Sequence, residues 1–175
     1  MFVKVCGIKN YHEIEWAVEL GYSAIGIVVY KKSRRFVEFN RAIELLKFAK
    51  GKIKTVVVSV YKKDVLKFKD IADFIQCYEL FDYNNLIFAT DFEPAFNNYK
   101  YLLYDSSRGR GEFTEFPSWI KKYRKKLIIA GGLNYENVIN VIEKIKPFGI
   151  DVSSGVESME KKDYYLMRKF IEAIK

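Results

Sequence analysis

Short apolar runs rich in β-branched residues alternate with longer segments of helical periodicity along the whole chain. Several runs, such as residues 56–58 and 127–129, are hydrophobic without interruption, which is typical of strands covered on both faces. This alternation predicts β-α-β units and a parallel sheet. The eight predicted strands are residues 3–7, 24–29, 54–60, 74–78, 86–90, 101–104, 127–131 and 149–153.

The segments between these strands carry the periodicity and end signals of helices. Asn10 followed by Glu13 resembles a capping box ahead of the first helix, which Gly21 ends. Asn134 is placed to cap a later helix that Pro147 ends. Residues 79–100 must hold the fifth strand and both of its connections, which is too short for two full helices. The other predicted helices span residues 41–50, 63–71, 118–125 and 162–174.

Length and composition bound the kind of protein. The chain has 175 residues, of which 50% are hydrophobic and 30% charged, as expected for one globular domain over residues 1–175. Its start lacks a basic leader followed by an apolar run, and no stretch approaches the roughly 18 apolar residues of a membrane span. We therefore expect a cytoplasmic protein without a membrane partner.

The charge balance favours anionic ligands. Lys and Arg outnumber Asp and Glu by 30 to 22, which gives a net charge of +8 and suits nucleic acid, anionic membrane or phosphorylated and carboxylated metabolites. The basic cluster at residues 121–126 suits the end of a helix, where cations complement the dipole, so no nucleic-acid partner is expected. Cys6 and Cys77 lie far apart, which supports neither a disulfide framework nor a zinc site.

Candidate chemistry gathers at the carboxyl ends of the predicted strands, where parallel α/β sheets place their active sites. A strand cysteine is usually an inert core residue, and a basic loop is usually solvated, but both types occur here at such ends. Glycine- and serine-rich loops after strands six, seven and eight would let a phosphate approach the backbone closely. The candidates are Cys6, Arg35, Gln76, Asp105, Gly109, Gly111, Gly131, Gly132, Asp151, Ser153, Ser154 and Gly155.

Four segments carry a specific resemblance. Residues 3–10 (VKVCGIKN), 24–35, 130–138 and 147–157 resemble motifs of the phosphoribosylanthranilate isomerase family of tryptophan biosynthesis, in the same order along the chain. The pattern of strands alone leaves a closed barrel and an open doubly wound sheet as alternatives. The resemblance implies an α/β fold, a single-domain (β/α)8 TIM barrel, with shortened helices around strand five.

The resemblance also implies a reaction and roles. The family converts N-(5-phosphoribosyl)anthranilate to 1-(o-carboxyphenylamino)-1-deoxyribulose 5-phosphate by an Amadori rearrangement without a metal or organic cofactor. Cys6 falls on its general base, Asp105 on its general acid and Arg35 on its anthranilate-contacting arginine, and the three glycine- and serine-rich loops fall on its phosphate loops. The expected partner is a small phosphorylated substrate, and the expected assembly is a monomer or homodimer.

The chain departs from the family pattern at strand four, where the usual Gln-Leu-His-Gly is Gln76-Cys77-Tyr78-Glu79. An electropositive site is expected to lower the pKa of the Cys6 thiol toward neutrality. Two other functions remain open on the residues alone. One is a different sugar-phosphate isomerase or epimerase with the same phosphate loops, and the other is a basic, nucleic-acid-binding scaffold.

Overall fold

Eight parallel strands form a closed barrel in the computed structural model, which describes residues 1–105 and 116–175. Each strand pairs with the next along the chain, and β8 pairs with β1. The strands are β1 (Phe2–Cys6), β2 (Ala24–Val28), β3 (Lys54–Val58), β4 (Phe74–Cys77), β5 (Leu86–Thr90), β6 (Tyr101–Asp105), β7 (Leu127–Ala130) and β8 (Gly149–Val152).

The barrel closes around β5, so the open-sheet alternative is excluded. Ile75 pairs with Leu86 between β4 and β5, and Ile87 pairs with Tyr101 between β5 and β6. All eight predicted strands are present, with ends that differ by at most two residues.

Helices cover only part of this barrel. No helix of the described residues is long and apolar enough to cross a membrane. The α-helices are α1 (Tyr11–Leu20), α2 (Phe39–Ala49), α3 (Lys62–Val65), α4 (Val138–Ile145) and α5 (Tyr164–Glu172). Short 3-10 helices lie at Leu66–Phe68, Ser118–Tyr123 and Ser154–Val156, and a small hairpin consists of β9 (Glu157–Ser158) and β10 (Lys161–Lys162).

Capping explains where the helices begin. The side chain of Asn10 accepts a hydrogen bond from the Glu13 amide at 3.1 Å, while the Glu13 carboxylate accepts one from the Lys9 amide at 2.6 Å, so the predicted capping box is confirmed. Asn134 instead accepts from the amide of Asn137 at 3.0 Å and holds the turn before α4. The helix cap is Asn137, three residues later than predicted.

Three other predicted helices differ from the structure. Residues 63–71 form only the short α3 and a 3-10 turn, and residues 118–123 form a 3-10 helix. In each segment two side chains that pack in the core are three residues apart, Val65 with Phe68 and Ile120 with Tyr123, a spacing that suits a 3-10 helix. The last helix begins at Tyr164 rather than at residue 162, because Asp163 caps it by accepting from the Leu166 amide at 2.9 Å. Lys162 belongs to the β9–β10 hairpin.

The wall formed by β4, β5 and β6 has no α-helix over the described residues that connect its strands, as the short segment 79–100 predicts. Aromatic side chains cover the outer face instead. The rings of Phe88 and Tyr99 lie 5.7 Å apart, and those of Tyr104 and Trp119 lie 5.6 Å apart. Large rings thus bury the outer faces of these strands with fewer residues than helices would need.

Inside the barrel, an apolar layer separates two ends of different character. The layer consists of Ala24, Val56, Ile87, Ala89, Leu103, Ile128 and Ala130. At the amino ends of the strands, the rings of Tyr101 and Phe148 stack at 4.6 Å, and Phe2 stacks on Phe148 at 5.6 Å. This aromatic plug closes the end opposite to the polar residues.

Gly149 lets the aromatic plug form, and its replacement tests the plug. A β-carbon there would lie 2.6 Å from the Phe2 carbonyl oxygen, too close for any rotamer to relieve. We expect Gly149→Ala to lower the free energy of unfolding by about 1–3 kcal/mol, measured by urea denaturation. Gly21→Asn is the control, because Gly21 has open space and a left-handed φ of 86° that Asn tolerates. Equal stability of the two variants would contradict the crowding at Phe2.

Candidate active site

A cavity of about 500 Å³ opens at the carboxyl ends of the strands. Most of the predicted site residues line it, although they come from separate parts of the chain. Gly109 and Gly111 lie outside the described residues. The predicted residues that line the cavity are Cys6, Arg35, Gln76, Asp105, Gly131, Gly132, Asp151, Ser153 and Ser154.

Gly155 is the predicted site residue that is described but does not line the cavity. A β-carbon on it would lie 1.9 Å from the Leu133 carbonyl oxygen. The absence of a side chain therefore lets the loop after β8 pack directly on the loop after β7. Gly155 positions the two loops against each other rather than presenting a surface to the cavity.

Cys6 is buried at the end of β1, beside a gap that the neighbouring strand leaves open. It pairs in register with Gly26 of β2, and a β-carbon on Gly26 would lie 2.8 Å from the Cys6 sulfur. The Cys6 carbonyl accepts a hydrogen bond from the Ser153 hydroxyl at 2.8 Å. The backbone of Cys6 is thus held by the loop after β8, and its sulfur lies against Gly26 of β2.

A buried ion pair lies immediately below the thiol. Lys4 points into the barrel from β1 and is completely buried, and its Nζ lies 2.9 Å from Oδ2 of Asp151 on β8. Burial acts against the charge of Lys4, but the interactions with Asp151 and Cys6 together outweigh it and raise the pKa of Lys4. The other carboxylate oxygen of Asp151, Oδ1, has no hydrogen-bond partner among the described residues.

The thiol pKa moves in the direction opposite to the expectation. Burial raises the pKa of Cys6, and the positive charges of Lys4 and Lys162 offset this only in part. The negative charge of Asp151 acts in the same direction as burial. The expectation considers only the positive charge of the site, whereas the burial of the sulfur has the largest effect on the pKa of Cys6.

Asp105 faces the thiol from across the barrel, at the end of β6. Its carboxylate accepts a hydrogen bond from the Tyr78 hydroxyl at 3.2 Å. Burial, together with the nearby Asp105 charge, raises the pKa of Tyr78, so that the phenol stays protonated and can donate. Tyr78 occupies the position where the family pattern has a histidine.

Gln76 presents a side-chain oxygen on the same side of the cavity as Tyr78. It is 5% exposed, and its Oε1 has no hydrogen-bond partner among the described residues. Because a buried acceptor without a partner is costly, this oxygen is suited to accept a hydrogen bond from a ligand in the cavity.

Arg35 lies at the rim of the cavity and forms an ion pair with Glu157. Its Nε and Nη2 donate to the two carboxylate oxygens of Glu157, each at 2.7 Å. Its side chain crosses Gly7, which has a φ of 90° and whose β-carbon would lie 2.4 Å from Arg35 Cδ. The remaining nitrogen, Nη1, donates no hydrogen bond to the described residues.

Glu157 joins the cations around the cavity. Besides Arg35, it accepts from Lys162 at 2.6 Å and from Arg34 at 2.9 Å. Burial opposes its negative charge, but the hydrogen bonds from Arg35 and Lys162 dominate and lower the pKa of Glu157 to about 2. Lys162 also donates to the Ser153 carbonyl at 3.1 Å, which connects this network to the loop that supports Cys6.

The loops after β7 and β8 form a possible anion site. Gly131 and Gly132 follow β7 with φ values of 90° and 67°, a conformation that leaves the backbone open to close approach by a ligand. Asn137 donates to the Gly132 carbonyl at 2.9 Å and fixes this turn. Ser153 and Ser154 lie beside it in the cavity wall.

Sequence reasoning missed three charged residues of the site. Lys4 interrupts an apolar strand two positions before Cys6, and residues two apart share a face of a strand, so its place was detectable. Glu157 and Lys162 offered no such signal, because their contacts depend on the β9–β10 hairpin. The described residues contain no group of three or more His, Cys, Asp or Glu that could hold a metal ion.

Comparison with known proteins agrees with the fold and the motifs. A sequence model of N-(5'-phosphoribosyl)anthranilate isomerases matches residues 84–173. The N-(5'-phosphoribosyl)anthranilate isomerase of Pyrococcus abyssi is 34% identical over 207 residues, covering 100% of this chain and 98% of the relative. Because this chain has 175 residues, the relative carries insertions that the chain lacks.

Two solved structures show the same architecture at 27% identity and a TM-score of 0.76, each covering 99% of this chain and 97% of the other. One is a crystal structure of monomers of the dimeric phosphoribosylanthranilate isomerase from Thermotoga maritima. The other is a phosphoribosyl anthranilate isomerase in complex with reduced 1-(o-carboxyphenylamino)-1-deoxyribulose 5-phosphate. The resemblance seen in the motifs is confirmed, and the chain belongs to the N-(5'-phosphoribosyl)anthranilate isomerase family of enzymes.

Proposed function

We propose that the chain converts N-(5-phosphoribosyl)anthranilate to 1-(o-carboxyphenylamino)-1-deoxyribulose 5-phosphate, with Cys6 as general base and Asp105 as general acid. The observation that carries the proposal is that one cavity is lined by a thiol from β1 and a carboxylate from β6. Glycine- and serine-rich loops suited to a phosphate lie beside them. Family membership supports the reaction, and a related structure holds the reduced product.

An aldose-to-ketose conversion needs one group that donates a proton and one that removes a proton, and Asp105 and Cys6 are proposed to fill these roles. Asp105 in its protonated form donates to the ribose ring oxygen, the bond between C1 and that oxygen breaks, and the anthranilate nitrogen forms an iminium. Cys6 as thiolate then removes the proton from C2, which the iminium has made acidic. The resulting enolamine tautomerises to the ketone. Placement on opposite walls lets acid and base act on different atoms of one bound sugar.

Binding is assigned to the two ends of the substrate. The loops at Gly131–Gly132 and Ser153–Ser154 would take the phosphate through backbone approach, and the loop with Gly109 and Gly111 is proposed to add to them. Arg35 would take the anthranilate carboxylate through Nη1, while Glu157 holds the rest of its guanidinium. Gln76 and Asp151 present the unpartnered oxygens Oε1 and Oδ1 to the hydroxyl groups of the sugar.

The remaining partner assignments follow from the same reaction. A small phosphorylated substrate accounts for the excess of positive charge, so no nucleic-acid partner is proposed. A monomer or a homodimer is proposed for the assembly, and one relative is described as dimeric. The cytoplasm is proposed as the location, since the substrate is a phosphorylated intermediate of amino-acid biosynthesis.

The base and acid roles can be tested by single substitutions. We expect Cys6→Ala and Asp105→Asn each to reduce kcat by at least about 100-fold, because removal of a general acid or base typically costs that much. The assay follows consumption of the fluorescent phosphoribosylanthranilate. Cys77→Ala is the control, since Cys77 is buried on β4 but does not line the cavity.

Retention of normal turnover in either variant would remove that residue from the mechanism. Failure of the unaltered protein to consume phosphoribosylanthranilate, with turnover of a different sugar phosphate, would favour the alternative isomerase or epimerase.

Arg35 is expected to act in binding rather than in chemistry. Arg35→Ala should raise KM by at least about tenfold, since one charge-assisted hydrogen bond contributes roughly 1.5–3 kcal/mol, while kcat changes little. Arg168→Ala provides the control, because Arg168 also pairs with a glutamate, Glu172, but lies on the surface outside the cavity lining. An unchanged KM in the Arg35 variant would contradict the carboxylate assignment.

Tyr78 is expected to hold the acid in place. Tyr78→Phe removes the hydroxyl that donates to Asp105 but keeps the ring, and we expect kcat to fall about fivefold, equivalent to ~1 kcal/mol for one hydrogen bond. KM should stay unchanged, because Tyr78 orients Asp105 rather than anchoring the substrate. Steady-state kinetics compare this variant with Tyr83→Phe, whose hydroxyl donates to the Lys69 carbonyl away from the cavity. Equal kcat values would contradict the role.

A further inference from the structure

A gain in stability does not explain why the Lys4–Asp151 pair is buried inside the barrel. The neighbouring interior positions on other strands are apolar, and a buried ion pair is often no more stable than apolar side chains of the same volume, because both charges lose their hydration. Lys4 has no exposed surface at all. Its retention inside the barrel therefore suggests a purpose other than stability.

The geometry directs the Lys4 ammonium toward the thiol. Lys4 and Cys6 are two residues apart on β1, so both side chains enter the barrel on the same face. A single β-carbon on Gly26 would lie 2.8 Å from Cys6 Sγ and 3.1 Å from Lys4 Cε. The two side chains therefore share the gap that Gly26 leaves in β2.

We propose that Lys4 is a positioning residue for the general base: its buried ammonium stabilises the thiolate of Cys6, and Asp151 holds that ammonium in place. The inference rests on the proposed function for the base role of Cys6. The inference identifies Lys4 as the positive charge that lets the buried thiol of Cys6 ionise and act as a base.

Other charged or titratable groups also face Cys6, and they define what Lys4 contributes. Asp151 opposes the thiolate, whereas the buried Lys162 and Arg35 at the rim favour it. Both cations are bound to Glu157, which neutralises part of their charge. Lys4 is thus the cation that approaches the thiol from beneath, paired with Asp151 alone. Tyr78 also acts on Cys6 electrostatically, and Asp105 faces it from across the cavity.

The test measures the thiolate directly, without substrate. Iodoacetamide labelling of Cys6 is followed by peptide mass spectrometry from neutral to alkaline pH, because only the thiolate reacts. We expect Lys4→Met to slow labelling at a given pH by about tenfold, which corresponds to one unit in pKa. The labelling curve should move to higher pH, because loss of the ammonium makes the thiolate harder to form.

A second variant separates this effect from the charge left on Asp151. Lys4→Met with Asp151→Asn leaves no unpaired charge in the barrel, and we expect labelling about threefold slower than in the unaltered protein, equivalent to about half a pKa unit. This variant also keeps the test available if Lys4→Met alone does not fold. Labelling of the double variant at the original rate or faster would overturn the inference.

Two references make the result specific. Lys54→Met breaks a surface pair with Asp73 of the same 2.9 Å length and should leave Cys6 labelling unchanged. Cys77 in the same digest reports any general loosening of the fold, since burial raises its pKa to about 11 and it lies outside the cavity lining.

If labelling responds to Lys4 while Cys6→Ala retains turnover, the charge effect stands and the base role fails. If labelling does not respond to Lys4 while Cys6→Ala loses turnover, the base role of Cys6 stands and Lys4 has no part in it.

Discussion

The pairing of β8 with β1 is the constraint on which the rest of the molecule depends. It closes the barrel, and its register sets Lys4 opposite Asp151, residues separated by almost the full length of the chain. The same junction brings Ser153 to the carbonyl of Cys6. Closure of the sheet and assembly of the site are therefore one structural event, since either strand alone would carry an unpaired charge into the interior.

Three cations near that junction, Lys4, Arg35 and Lys162, are each paired with a carboxylate. The innermost pair is Lys4 with Asp151, and at the rim Glu157 neutralises a cluster of cations that would otherwise repel one another. Glu157 accepts through both oxygens, so it fixes the orientation of Arg35 and not only its charge. Among the described residues, the buried cations Lys4 and Lys162 each have a carboxylate partner within the protein.

The strand pattern was sufficient to locate all eight strands and most of the cavity, because polar residues at strand ends interrupt otherwise apolar runs. Cys6 and Asp105 are such residues, although only the family motifs distinguish base from acid. The direction of the Cys6 pKa shift could not be predicted from the expected positive charge of the site, since it depends on how completely the sulfur is buried. Asn134 was misassigned because an Asn that holds a turn resembles one that caps a helix. Lys162 was misassigned because a two-residue strand has no periodicity.

The helix-poor wall has a consequence for motion. Strands β4, β5 and β6 are covered on the outside by loops and aromatic rings, whereas β1 and β8 adjoin the long helices α1 and α5, which pack on each other. Segments with fewer packed elements open locally at lower free energy. Asp105 stands on the more yielding side and Cys6 on the more rigid one. For the proposed reaction, the expected effect is that Cys6, the proposed base, keeps a fixed position. Asp105, the proposed acid, lies on the side that can adjust as the sugar ring opens and lengthens.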